Sequence, residues 1–231
     1  MHIIKLSLAI IAMAIVAVAQ IPPQAAPVPE DHFFQVRYAS NLTLFDAVVN
    51  ITNTGANGAN LNGPGFGAAV GNICVNVYTF SPDEQLVSCC SCPITPNGLV
   101  SLSVVNDLTS NTLTGIKPNS VVIKLLATTS TTTTKNPNGT DCTNSAALAS
   151  AAPFSLVPFG MAAWGTTLHT TPVAGTLATT ETPFTPATLS QGGTNTELSS
   201  ITNRCTNIIG NGSTFGICRS CRVGGLGADR L

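Results

Sequence analysis

Apolar and polar positions alternate with a period of two along most of this chain, and the period changes to that of a helix only once. Ala47, Val49 and Ile51 alternate with Val48, Asn50 and Thr52, the pattern of a strand with one face buried. Ile73, Val75 and Val77 do the same within 72–80 (NICVNVYTF). Further strands are predicted over Phe33–Tyr38 and Leu42–Thr52, both rich in β-branched and aromatic residues, and over Gln85–Cys90, Leu99–Val105, Ser120–Thr128 and Phe159–Thr170. Turn chemistry separates them. Ser81-Pro82-Asp83-Glu84 places proline at the second position of a turn, and Thr95-Pro96-Asn97-Gly98 makes another. The first of these turns closes a hairpin between 72–80 and 85–90.

The helical period appears after Thr196. Leu198, Ile201, Cys205 and Ile208 recur on one face, Thr194 to Thr196 offer caps, Glu197 suits the positive N-terminal end, and Gly210 is the stop. The remaining segments read as connections. Asn53–Gly71 is a Gly/Asn loop, long for a compact domain and so a candidate contact surface. Thr128–Thr134 is a threonine tract that continues a strand or forms an exposed loop, and Thr171–Pro186 is an extended connection or an edge strand. Short strands followed by one helix predict a mainly β fold: an antiparallel β-sandwich, immunoglobulin-like or jelly-roll-like, with a C-terminal helix and a disulfide-tied tail.

The first residues carry a different signal. His2 and Lys5 precede an apolar run from Leu6 to Val16, and Ala17-Val18-Ala19 is a small-x-small cleavage pattern. Residues 1–19 therefore read as a secretory signal peptide, too short for a comfortable bilayer span. Residues 20–32 (QIPPQAAPVPEDH) read as a Pro-rich extended arm. The expected organisation is then a β-sandwich over 33–190, with the helix and Cys-rich tail of 191–231 packed on the same domain. An apolar strand behind a Pro-rich spacer could be lent to a neighbour's sheet. The simpler expectation is that 33–38 pairs within its own domain.

Export changes the meaning of the eight cysteines, Cys74, Cys89, Cys90, Cys92, Cys142, Cys205, Cys218 and Cys221. In an oxidising compartment an even count predicts disulfides, each worth roughly 2–4 kcal/mol. Eight cysteines allow on the order of a hundred connectivities. Proximity along the hairpin suggests Cys74 with one of Cys89, Cys90 or Cys92, and proximity along the tail suggests Cys205 with Cys218 or Cys221. Two sharper readings compete. Cys-Cys-Ser-Cys at 89–92 with Cys218-Arg-Ser-Cys221 could offer four thiolates to zinc, but only one pair has the usual spacing. Cys218-x-x-Cys221 also has redox spacing, but it lies in a Gly-rich tail after the helix rather than at a helix start.

Charge narrows the function. Charged residues make up 8% of the chain and the net charge is −1, against roughly 25% charged in ordinary soluble domains. A phosphate backbone needs a basic stripe, and Arg204, Arg219, Arg222 and Arg230 are scattered, so nucleic acid is not an expected partner. No second apolar span follows the leader. The expected location is extracellular, or periplasmic in a bacterial host, and the surface is Thr/Asn-rich.

Catalytic groups are sparse. His32 and His169 are the histidines beyond the leader, and no Gly-x-Ser-x-Gly elbow accompanies them. The carboxylates Asp46, Asp83, Glu84, Asp107, Asp141, Glu181 and Glu197 fall mostly in turns and loops, and no calcium-loop pattern is present. Trp164, in an apolar stretch, reads as core, which counts against an aromatic glycan platform. Sequons occur at Asn41, Asn50, Asn138 and Asn211. No catalytic, cofactor-binding or metal-binding residue is therefore expected. The expected function is that of a secreted, non-enzymatic structural or surface protein, a filament, coat or matrix subunit that partners itself or an extracellular surface. The alternatives are an adhesive or ligand-binding β-sandwich and a secreted enzyme with a dispersed site.

Overall fold

The computed structural model describes residues 33–61, 70–129, 142, 160–190, 195–219 and 221–223. The leader, the Pro-rich arm with His32, the middle of the Gly/Asn loop, the threonine tract beyond Thr129, Asn138, Asp141, Thr194 and Arg230 lie outside the described residues. The elements below belong to one compact unit, Asp31–Leu231.

Ten strands and one α-helix follow in chain order among the described residues. They are β1 (Phe34–Ala39), β2 (Ala47–Asn53), β3 (Ile73–Phe80), β4 (Leu86–Ile94), β5 (Leu99–Ser103), β6 (Val121–Thr129), β7 (Met161–Thr170), β8 (Leu177–Pro183), β9 (Thr185–Pro186), α1 (Glu197–Gly210) and β10 (Arg222–Val223). They form two antiparallel sheets, one ordered β4-β3-β6-β1-β9 and the other β10-β5-β2-β7-β8. The inner faces meet in a core that includes Val49, Ile51, Val75, Val77, Val100, Leu102, Ile123, Leu125 and Ala163. The β-sandwich with a C-terminal helix is therefore the observed architecture.

The hairpin is where the turn residues place it. Glu84 donates its N–H to the Ser81 carbonyl at 3.0 Å, and Gly98 donates to Thr95 at 2.8 Å. β1 pairs with β6 on one side and β9 on the other, both within the same chain. The Pro/Thr segment supplies an edge strand, β8. β5 stops at Ser103, two residues short of the expected end. There the Asp107 carboxylate accepts the Ser103 N–H at 2.8 Å and the Ser103 hydroxyl accepts the Asn106 N–H at 2.9 Å. These local side-chain bonds divert the backbone into a π turn over Val104–Leu108. That turn is a second helical element with no apolar period to announce it.

β3 is buried on both faces rather than one. Its inner face is the alternating set Ile73, Val75 and Val77; its outer face, with Tyr78, lies under α1. Burial pushes the Tyr78 hydroxyl well above the ordinary tyrosine range. Helix α1 is capped as its sequence implies. The Thr196 hydroxyl accepts the Ser199 N–H at 3.2 Å and the Ser199 hydroxyl accepts the Thr196 N–H at 3.1 Å, a reciprocal capping box. Ile201, Cys205 and Ile208 are buried against Phe34, Tyr78, Leu86, Cys89 and Leu126, with Leu198 packed alongside.

All eight cysteines are paired, as Cys74–Cys142, Cys89–Cys205, Cys90–Cys218 and Cys92–Cys221. Both proximity expectations are corrected. The hairpin register sets Cys74 opposite Pro93, Val75 opposite Cys92 and Val77 opposite Cys90, so no cysteine of β4 faces Cys74. Cys205 lies in the buried stripe of α1 and meets Cys89 on the outer face of β4, with 5.9 Å between Cα atoms, instead of turning along the chain to the tail.

After α1 the chain returns to the free edge of β4. Cys89 donates to the Gly216 carbonyl at 2.8 Å and Cys218 donates back to the Cys89 carbonyl at 3.2 Å. Gly216 sits at φ +79°, and a Cβ there would lie 2.8 Å from Ile208, so only glycine passes this close beneath the helix. The tail then crosses to the other sheet, where β10 pairs with β5. It thereby closes one side of the sandwich.

Candidate functional site

The outer face of the second sheet is where polar and aromatic side chains converge. β2 turns Val49 and Ile51 inward, which obliges Val48, Asn50 and Thr52 to face out. The register sets Asn50 opposite both Ser101 of β5 and Trp164 of β7. It sets Thr166 opposite Val48 and Glu181, and Trp164 opposite Pro183 of β8. These residues therefore share one face.

A chain of hydrogen bonds crosses that face from strand to strand. The Ser101 hydroxyl donates to Asn50 Oδ1 at 2.7 Å, Asn50 Nδ2 donates to the Thr166 hydroxyl at 3.0 Å, and Thr166 donates to Glu181 Oε1 at 3.1 Å. The chain begins on a buried serine and ends on an exposed carboxylate. Each side chain is held by its neighbour, so little rotamer freedom remains to be lost when a ligand binds. Trp164 stands beside it, 39% exposed. The expectation that Trp164 belongs to the core is thus corrected: β7 turns Met161, Ala163 and Gly165 inward, and period two sends Trp164 to the opposite face.

The face is backed from within by Arg37. Its guanidinium donates to the Gly165 carbonyl at 2.6 Å, to the Thr182 carbonyl at 2.8 Å and to the Thr167 hydroxyl at 2.8 Å. It also lies 6.0 Å from the centre of the Phe184 ring. A Cβ on Gly165 would fall 2.0 Å from Arg37 Cζ. Glycine at 165 is therefore what lets a β1 cation reach across to β7 and β8. Desolvation by burial holds the Arg37 guanidinium below its ordinary pKa, yet an arginine stays charged across physiological pH. Beside this latch a cleft of about 460 Å³ is lined by residues that include Arg37, Tyr38, Thr182 and Pro183. It adjoins the platform at Pro183.

The other sequence candidates are dispersed. His169 is exposed near the end of β7, opposite Ala178. Asp83 and Glu84 form the hairpin turn. Glu197 pairs with Lys124, which also lies 4.8 Å from the centre of the Phe80 ring. Asp46 and Asp107 converge on Ser103, but they accept bonds from Ser103 and Val105 and hold the π turn. Asn41 is an exposed turn residue, Asn211 caps the helix, and Asn50 is engaged in the hydrogen-bond chain. The sulfurs of Cys90, Cys92 and Cys221 lie within 4.8 Å of one another. Their gathering reflects the Cys90–Cys218 and Cys92–Cys221 disulfides, which leave no thiolate for zinc. Cys218 and Cys221 are each bonded to β4 rather than to each other, unlike a redox pair. The Gly/Asn loop is anchored at its ends, where Asn53 Nδ2 donates to the Gly71 and Ile94 carbonyls at 2.8 and 3.0 Å. Its middle, 62–69, lies outside the described residues.

Chemically the platform offers hydroxyl, amide and carboxylate groups around one indole face. Glycoside hydrolysis uses two flanking carboxylates; here Glu181 ends the row of hydrogen bonds beside Trp164, and Asp46 is held at Ser103 by the Ser103 hydroxyl and the Val105 N–H. No protein-family model matches the chain, and no curated protein or solved structure matches it. Among the described residues no helix is long and apolar enough to cross a membrane.

Proposed function

We propose that this is an extracellular, non-enzymatic surface protein of the adhesive kind, which holds a neutral, hydroxyl-rich polymer such as a polysaccharide against the outer face of its second sheet. One observation carries the reading: an exposed Trp164 set beside a preorganised row of Ser101, Asn50, Thr166 and Glu181. Sugar rings present apolar C–H faces to an indole and hydroxyls to amides and carboxylates, and both partners are on this surface. The low charge of the chain agrees with a neutral ligand. The leader pattern and the disulfides support an extracellular setting.

The test uses the chain's single tryptophan. The secreted protein should be retained on at least one insoluble polysaccharide among cellulose, chitin, xylan and mannan, with a change in Trp164 fluorescence on adding the matching soluble oligosaccharide. Trp164→Ala should weaken retention by roughly tenfold or more, the loss of about 1.4 kcal/mol of ring contact. Retention on none of the four, or equal retention by Trp164→Ala, would overturn the reading.

A further inference from the structure

The sandwich has four lateral sheet edges, and three are closed or cut short. Residues 216–218 pair with β4 at Cys89, the two-residue β10 pairs with part of β5, and the two-residue β9 pairs with part of β1. The fourth is β8, seven residues long and exposed at every position. Among the described residues no strand lies beyond it. Exposed edges of this length invite a further strand, and proteins usually blunt them with lysine, bulges or covering segments. β8 (LATTETP) carries no lysine, and its pairing with β7 runs without a register shift.

The direction of its free groups follows from the ladder. Thr171 donates to Thr176 at 3.3 Å and Phe184 donates to Ala163 at 2.9 Å. Both are hydrogen-bonded pairs of the β7–β8 ladder or of its extension, and such pairs alternate with non-bonded ones. Ala178, Thr180 and Thr182 therefore turn their main-chain groups toward β7. Leu177, Thr179 and Glu181 turn theirs outward, and Pro183, which has no N–H to offer, falls in the outward set.

We propose that β8 pairs antiparallel with β8 of a second copy, about a two-fold axis at Thr180. In this register Thr179 forms hydrogen-bonded pairs with Glu181 of the second copy, and Leu177 donates to the carbonyl of Pro183 of the second copy. Two features favour a copy as occupant. The two Glu181 carboxylates, the only charges on β8, stand opposite threonines rather than each other. Glu181 already accepts from Thr166 on its own sheet, and Thr179 of the second copy brings a hydroxyl to the same carboxylate, so the polar row of Ser101, Asn50, Thr166 and Glu181 continues across the joint. The two outer faces become one ten-stranded surface. The proposal does not depend on the polysaccharide reading, because it is read from mass and crosslinking rather than ligand.

The test is sedimentation of the secreted full chain over the micromolar to millimolar range. The mass should approach twice that of one chain. Thr179→Pro removes an outward N–H from each copy without touching the β7 ladder. It should weaken association by at least roughly tenfold while leaving the circular dichroism spectrum unchanged. Thr180→Cys gives a second readout. It should crosslink chains in pairs under mild oxidation, whereas Thr182→Cys, set opposite Ala178 of the second copy, should not. A chain that stays monomeric throughout, a folded Thr179→Pro variant that associates as tightly as the parent, or equal crosslinking at 180 and 182 would each overturn the proposal.

Discussion

The outer faces of the two sheets start from comparable strands and end in opposite conditions. On the first sheet, α1 lies over β3 and β4, the Cys89–Cys205 disulfide ties it down, and Tyr78 beneath it is fully buried. On the second sheet the outer face carries Trp164, Thr166, Leu168 and Glu181, none of them buried, and among the described residues no helix covers it. β4 alone anchors three of the four disulfides. The contrast separates two tasks. The stapled side supplies rigidity that a low-charge, glycine-rich chain would otherwise lack. The open side is backed by the core and by Arg37, and its polar side chains bond to one another from strand to strand instead of packing under a helix.

The comparison can be broken most forcefully at the helix. Ile201 is 1% exposed, and Ile201→Asp puts a carboxylate into an apolar contact while removing its burial. The expected loss is about 3–5 kcal/mol, from burial and desolvation together. Asn203→Asp, on the exposed face of the same helix, and Leu177→Asp, on the open edge strand, should each change stability by less than about 0.5 kcal/mol. Denaturant titration of the three variants measures this, and similar losses would show that the two sides are equally stabilising.

The next effect belongs to the staple. Replacing Cys89 and Cys205 together with alanine opens a link across 116 residues and should cost about 2–5 kcal/mol. Thermal unfolding should report the loss, while binding at Trp164 stays as in the parent. A matching loss of binding would mean that the faces are coupled. The smallest effect is expected on the open face itself. Trp164→Ala should alter stability by at most about 1 kcal/mol, because the indole is partly exposed and β7 keeps its ladder. A much larger loss by the same titration would return Trp164 to a structural role.

How much of this was legible depended on how local the cause was. The strands, both proline turns and the capped helix rest on residues a few positions apart. Period two, Pro82, Gly98 and the Thr196 cap act within their own segments and persist in the structure, although the strand expected over Leu42–Thr52 begins only at Ala47, because Leu44 and Phe45 donate to the Asn41 carbonyl in a turn. The end of β5 is not legible although its cause is local too, since Asp107 and Ser103 bend the backbone by side-chain bonds that leave no hydrophobic period. Trp164 reads as core from the sequence because its neighbours are apolar. Apolar neighbours show that a strand is buried on one face, but which face is set by the partner strands.

Cysteine identity and an even count were enough to imply four bridges; their pairing was decided by register. A hairpin brings Cys74 close to 89–92 along the chain, yet it sets Pro93 opposite Cys74 and leaves that cysteine to Cys142. The same holds for the row from Ser101 to Glu181. Its four residues are spread over 132 positions and meet because β5, β2, β7 and β8 lie side by side in an order the chain does not follow. Local sequence sets what each segment is, through side-chain sterics and short-range hydrogen bonds. Which segments lie together is decided by burial of the whole core at once, a long-range free energy that no single window of sequence contains.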